Sequence, residues 1–242
     1  MLDDVHEVLM TTRSVRRRLD LERPVPVEVV GECLQIALQA PTGGHAEDWR
    51  FVVVGDPDLK QRIGEIYLRN YEAHVLAPLR CTGVDDPAVA GRLGVGDSGR
   101  PTARTERILA GADHLARNIG RAPWLVLACA TRPSPAGGGP GTWSAVYGSV
   151  YPAVWSFNLA LRARGLGTCI TSLTLHSAGE VAELLAIPDD VVQVTLLPVA
   201  WTVGTDFKVA ARRPVAEVAS LDRWGTPFPY ADRTFDELAG RA

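Results

Sequence analysis

From Ala145 to Arg164, apolar residues fall on nearly every side of a would-be helix: Val146, Val150, Val154, Trp155, Phe157, Leu159 and Leu161. Such an all-round pattern predicts a helix covered from several directions, placed in the middle of a layered core or in a seam between two copies. Pro152 predicts a kink within it, and Gly165-Leu166-Gly167-Thr168-Cys169 ends it. A segment of this kind demands apolar surface from the rest of the chain. With 46% hydrophobic and 22% charged residues among 242, the chain can supply it as one domain spanning 1–242.

The remaining pattern mixes helices with short buried strands. Val5, Val8 and Leu9 share a helical face, with Asp3 or Asp4 as its cap. Val29, Val30, Cys33, Leu34, Ala37 and Leu38 form a second stripe, opened near Pro26 and stopped by Pro41. Phe51-Val52-Val53-Val54 reads as a buried strand, and Asp56-Pro57 as the start of a helix carrying Leu59, Ile63, Ile66 and Tyr67. Helical spacing returns from Ile108 to Ile119. Strands are expected over Pro123 to Ala130 and Val192 to Trp201, and Ser177-x-x-Glu180 has the form of a capping box. Between about 77 and 104 the chain is rich in Gly, Asp, Pro and Arg, which predicts a long lid-like excursion. The segment Ser134–Gly141 predicts a flexible loop, and the polar tail from about 205 predicts an arm lying on a partner subunit.

Several chemistries lack their residues. Cys33, Cys81, Cys129 and Cys169 are scattered, with no C-x-x-C and no clustering with the five histidines, so neither zinc nor a disulfide framework is expected. A formal net charge of −3 gives no general attraction to nucleic acid or anionic membrane. There is no G-x-G-x-x-G after a strand, no P-loop and no G-x-S-x-G. The start of the chain is too charged for a signal peptide, so a cytoplasmic protein is expected.

Two short stretches carry the candidate chemistry. In Thr12-Arg13-Ser14-Val15-Arg16-Arg17, guanidiniums and a hydroxyl follow a helix, where they can hold a phosphate and an electron-rich ring edge. A solvated basic turn is the plainer alternative. The Pro/Gly-rich bend Ala40-Pro41-Thr42-Gly43-Gly44-His45-Ala46-Glu47-Asp48-Trp49 allows backbone to approach a flat ligand, although the same composition also makes a simple connector.

In order, these pieces resemble the FMN-dependent nitroreductase family over most of the chain. Its R-S-x-R is matched by Arg13-Ser14-Val15-Arg16, and its A-P-S-x-x-N-x-Q-P-W-x-F bend by Ala40 to Phe51. The long helix ending in G-L-G-T is matched by Val150 to Thr168, and a basic residue two before a proline by Arg212 and Pro214. The resemblance implies an α+β fold with an antiparallel-rich central sheet flanked by helices, in an intertwined homodimer with FMN at the interface. Carried over, Arg13, Ser14 and Arg212 would hold the FMN phosphate and ribityl chain. Pro41, Thr42, Gly43 and His45 would line the flavin, with Arg16 near N1 and O2. Arg17 would lie beside them. Ile170, Thr171, Ser172 and Leu173 would offer backbone N–H groups to N5. No side chain is required as a catalytic acid or nucleophile, because flavin N5 carries the chemistry and Arg16 supports it electrostatically.

The implied activity is ping-pong hydride transfer, in which NAD(P)H as co-substrate reduces the flavin and a nitroaromatic or quinone then accepts the electrons. A non-catalytic FMN-binding or sequestering dimer is the alternative, and a plain interaction module is a further one. The chain departs from the family pattern where His45, Glu47 and Asp48 replace Asn, Gln and Pro. Ala210 stands where a second basic residue is frequent, leaving Arg17 and Arg18 as the nearest compensating charges.

Overall fold

Alternation along Trp124–Ala130 organises the molecule. Leu125, Leu127 and Cys129 enter one hydrophobic core, while Val126, Ala128 and Ala130 enter another on the opposite side. A strand buried on both faces reads as the continuous apolar run seen here, although its side chains still alternate. The computed structural model describes residues 4–77, 103–131 and 139–240. The expected excursion near 77–104 lies, over 78–102, outside the described residues, as do Cys81 and most of the expected loop Ser134–Gly141.

The element order is α1 (Val5–Thr11), β1 (Leu19–Asp20), α2 (Val27–Ala37), β2 (Trp49–Val54), α3 (Pro57–Tyr71), α4 (Ala103–Asn118), β3 (Trp124–Ala130), α5 (Pro140–Ala163), β4 (Leu166–Gly167), α6 (Ala178–Leu185), β5 (Val192–Thr202), α7 (Val215–Val218) and α8 (Phe235–Leu238). Sheet order is β1-β5-β3-β2, with β4 also on β5, and every pairing is antiparallel. On one face, Ile63, Ile66 and Tyr67 of α3 pack with Leu115 of α4; on the other, Val30 and Cys33 of α2 pack with Val150, Phe157 and Leu161 of α5. This is the expected α+β arrangement.

Local signals explain the helix starts. The Asp4 carboxylate accepts from the N–H groups of His6 and Glu7 at 2.8 and 3.3 Å, and that of Asp56 accepts from Leu59 at 2.9 Å before Pro57 in the first turn. The Ser177-x-x-Glu180 capping box is not formed. Ser177 instead exchanges hydrogen bonds with Asn70 at 3.0 and 3.1 Å, and Glu180 pairs with Arg69. A capping box does occur at Thr234 and Glu237, on α8.

The long helix α5 begins at Pro140, ahead of the expected start, and within one chain it is not covered all round, which excludes the middle of a layered core and leaves the seam: Trp143, Tyr151 and Trp155 are 40%, 37% and 43% exposed. With Tyr147 they form one aromatic stripe at four-residue spacing, in which Trp143 stacks on Tyr147 at 5.3 Å and Tyr151 lies 6.1 Å beyond. No helix among the described residues is long and apolar enough to cross a membrane.

Candidate functional site

The segment after α1 meets the residue after β4 through a backbone hydrogen bond, Val15 N–H to Thr168 C=O at 2.9 Å, which fixes the loop Arg13–Arg16 beside β4. There, Arg13, Ser14 and Arg212 line a cavity of about 230 Å³ together with Asn158 and Thr168. Arg13 is held from behind by the carbonyls of Thr12, at 2.7 Å, and Lys208. Burial and the neighbouring Arg212 guanidinium push the Arg13 pKa below its usual range. Arginine does not lose its proton, so the lowering marks a cation that is partly desolvated and beside a like charge. Asn158 and Thr168 are buried, and Asn158 Oδ1 and Thr168 Oγ1 have no hydrogen-bond partner among the described residues. Two cations in one cavity with polar side chains suit a phosphate with an attached polyol.

Arg16 and Arg17 lie next to this cradle. With Ser14, Gly111 and Phe207 they line a second cavity of about 220 Å³. Arg16 is close enough to Cys169 and Tyr67 that its charge opposes, without overcoming, the effect of burial on both groups. Arg18 does not serve as a spare phosphate ligand. It binds Asp206 at 2.7 Å and the Val203 carbonyl at 2.7 Å, and its guanidinium lies 4.3 Å from the Phe207 ring centre.

The Ile170–Leu173 segment borders the same cradle through Ile170. Thr171 is committed elsewhere: its N–H donates to Leu196 C=O at 3.0 Å, its C=O accepts from Leu196 N–H at 2.9 Å, and its hydroxyl meets Tyr67 Oη at 2.8 Å. The expected Thr171 N–H contact to a ligand is therefore excluded in this arrangement. The N–H groups of Ile170, Ser172 and Leu173 find no partner among the described residues. Ser172 is exposed, while the Leu173 side chain turns into the core, so Leu173 can contribute only backbone.

Pro41, Thr42, Gly43 and His45 lie elsewhere. A 3-10 turn over Gly43–His45 is braced by Gly43 N–H to Ser149 Oγ at 3.1 Å, His45 N–H to Thr42 C=O at 3.2 Å and Glu47 N–H to Thr42 Oγ1 at 3.3 Å. Ser149, which holds this bend, and Asn158, which lines the cradle, are about 13 Å apart along α5 at the 1.5 Å rise of a helix. Among the described residues no hydrogen bond or cavity joins the bend to Arg13, Arg16 or Arg212. Within one chain the bend and the cradle are thus separate.

Asn158, Thr168 and Ser149 were not singled out from the sequence. Asn158 had a usable signal, since it is an amide within the apolar run Trp155 to Leu161; Ser149 had none, because its role is to meet a turn far away in sequence. No group of three or more His, Cys, Asp or Glu able to hold a metal occurs among the described residues.

A family model described as the nitroreductase family matches residues 9–201. Iodotyrosine deiodinase 1 of Rattus norvegicus is 44% identical over 63 residues, which are 26% of this chain and 21% of that protein. Iodotyrosine deiodinase of Danio rerio is 45% identical over 65 residues, 26% of this chain and 22% of that protein. The matches thus span about a fifth of these relatives' length. Among solved structures, oxidized iodotyrosine deiodinase bound to FMN and 3-iodo-L-tyrosine has a TM-score of 0.60 at 22% identity, covering 92% of this chain and all of that one. An FMN and NADPH-dependent nitroreductase from Sphigopyxis sp. strain HMH has a TM-score of 0.62 at 22% identity, covering 90% and 98%. A BluB-like flavoprotein from Clostridium difficile 630 has 0.62 at 17%, covering 90% and 99%. At these identities the structural likeness establishes the fold.

Proposed function

Because the chain belongs to the nitroreductase family, we propose that it is an FMN-dependent oxidoreductase, a single-domain homodimer that takes electrons from NAD(P)H and passes them to an electron-poor acceptor such as a quinone or nitroaromatic. The observation that carries this reading is the cradle, a cavity lined by the cations Arg13 and Arg212 and by Asn158 and Thr168, each with a buried polar atom that has no partner among the described residues. Its volume of about 230 Å³ is below the ~300 Å³ of pockets that enclose a drug-sized ligand, so it suits the phosphate and ribityl end. The ring system would then lie where a second copy covers it.

When bound there, FMN would supply two-electron hydride chemistry. Arg13 and Arg212 would neutralise the phosphate, and Ser14, Asn158 and Thr168 would take its oxygens and the ribityl hydroxyls. Arg16 would stabilise negative charge on the electron-rich ring edge, with Arg17 reinforcing the local potential. The free N–H groups at Ile170, Ser172 and Leu173 would orient the opposite edge. Pro41, Thr42, Gly43 and His45 of a second copy would close the site and exclude water, with α5 stripes packed together. The arm from about 205, with Val218 62% exposed and Trp224 fully so, would wrap that copy.

Reconstitution tests this. Protein mixed with FMN and freed of excess should keep the flavin absorbance and lose it on anaerobic addition of NADH or NADPH. Retained colour that does not bleach would mean an FMN-binding or sequestering dimer, and no retained colour would undo the site assignment. A second reading, reductive dehalogenation, is favoured by the 44% identity to iodotyrosine deiodinase 1. Iodide release from 3-iodo-L-tyrosine by the reduced protein would select it.

A further inference from the structure

We propose that His45, oriented by Glu47, is the proton donor to the acceptor; this rests on the two-copy flavin site above. Within the bend, Gly44, His45 and Glu47 have φ of 64°, 52° and 52°. The left-handed region suits glycine but disfavours side chains with a Cβ, and such strain is held where surrounding structure over-determines it. Here the bracing comes from Ser149 and Thr42, from Arg50 Nη1 to Glu47 C=O at 3.1 Å, and from both donors of Thr131 to Asp48 C=O. Packing within the chain does not offset the strain, because the His45 and Glu47 side chains are 91% and 60% exposed. What the strained bend achieves is presentation of the pair outward, His45 Nε2 facing Glu47 Oε1 at 3.4 Å. Nδ1 has no hydrogen-bond partner among the described residues.

The proposed site has few groups able to give up a proton. Arg13, Arg16, Arg17 and Arg212 keep theirs, and the hydroxyls of Ser14, Thr42 and Ser172 are far too weak as acids. Cys169 and Tyr67, pushed up by burial to about 11 and about 12, hold theirs too. Histidine alone exchanges a proton near neutral pH. The charged groups around it are Glu47, Asp48 and Arg50 on the bend; α5, packed against the bend, carries no charged side chain before Arg162.

Reduction of a quinone takes one hydride and one proton. Bound FMN, once reduced, would supply the hydride; with it on one carbonyl oxygen the ring electron pairs shift and the opposite oxygen is left as a phenolate. A proton on His45 Nδ1 would move to that oxygen, leaving hydroquinone and a neutral imidazole beside the Glu47 carboxylate. Solvent then reprotonates Nδ1.

The experiment compares anaerobically reduced, flavin-loaded wild type, H45Q and E47Q against p-benzoquinone, which needs the proton, and ferricyanide, which takes electrons alone. In H45Q the ratio of the benzoquinone rate to the ferricyanide rate should fall at least about tenfold. In E47Q the ratio should fall less than in H45Q. In parallel, the imidazole NMR resonance assigned to His45 by its absence in H45Q should shift when FMN is added to the protein. An unchanged ratio, an equal loss toward both acceptors, or a resonance indifferent to FMN would overturn the proposal. Wild type that keeps no FMN would instead overturn the site on which it rests, so the two failures are distinguishable.

Discussion

At the scale of single residues, Arg16 has the most consequential placement. Its stem passes 3.8 Å from where a Gly111 Cβ would be, and its charge reaches Cys169 at the edge of the cradle. If it stabilises the reduced ring, Arg16→Ala should keep FMN yet lower the flavin potential and slow reduction by NAD(P)H about ten- to a hundredfold, measured by anaerobic stopped flow. The buried thiols make a separate prediction. Burial pushes Cys33 and Cys169 up to about 11 and Cys129 up to about 12. The thiolate is therefore scarce in the native protein, and brief iodoacetamide at pH 8 should leave all three unmodified by peptide mapping. The same shifts have a sign for stability. The folded chain holds these protons more tightly than the unfolded one, whose thiols titrate near 9. Their stabilisation is complete below pH 9 and is lost as pH rises through 11 to 12, so the urea midpoint should fall between pH 8.5 and 10.5.

Among elements, the short strand β4 controls the cradle more than its length suggests. A Cβ added at Gly167 would sit 2.6 Å from Thr202 Cγ2 and 3.0 Å from Val15 Cβ, between the edge of β5 and the loop that bears Ser14 and Arg16. Gly167→Ala should therefore cost about 1–3 kcal/mol in denaturant titrations and also weaken FMN binding, because Val15 must move. A loss of stability with FMN affinity unchanged would separate β4 from the site. Elements set by local chemistry were legible beforehand: Asp4 and Asp56 cap, Pro57 opens a helix, and the apolar run of β3 is central. Elements decided by distant partners were not. Ser177 and Glu180 have the right spacing for a capping box, yet Asn70 and Arg69 of α3 claim both side chains. In the site, the arginines and the bend carried a recognisable pattern. Thr171, by contrast, was lost as a ligand donor through a bridge to Leu196 that no local pattern encodes.

At the scale of the whole molecule, the separation of bend from cradle and the uncovered face of α5 are both accounted for by the proposed dimer. Trp143, Tyr151 and Trp155 on α5, with Val5 and Leu9 on α1, leave apolar surface exposed on a chain whose sheet is otherwise well covered. A two-fold dimer would bury this stripe against itself and carry the bend of each chain to the cradle of the other. Tyr151→Glu should then yield a folded monomer by sedimentation and circular dichroism that no longer keeps FMN. The composite site has a stricter test, because it implies that two defects can be sorted apart. R13A/R212A removes the phosphate cations from one half-site, and P41E sets a carboxylate against an anionic cofactor in the other, so neither homodimer should hold flavin. In a dimer of one variant with the other, one site receives both defects and its twin receives neither. Random exchange of subunits should therefore restore about a quarter of the flavin sites. If each site were built within a single chain, every site in the mixture would keep one defect and no flavin would return.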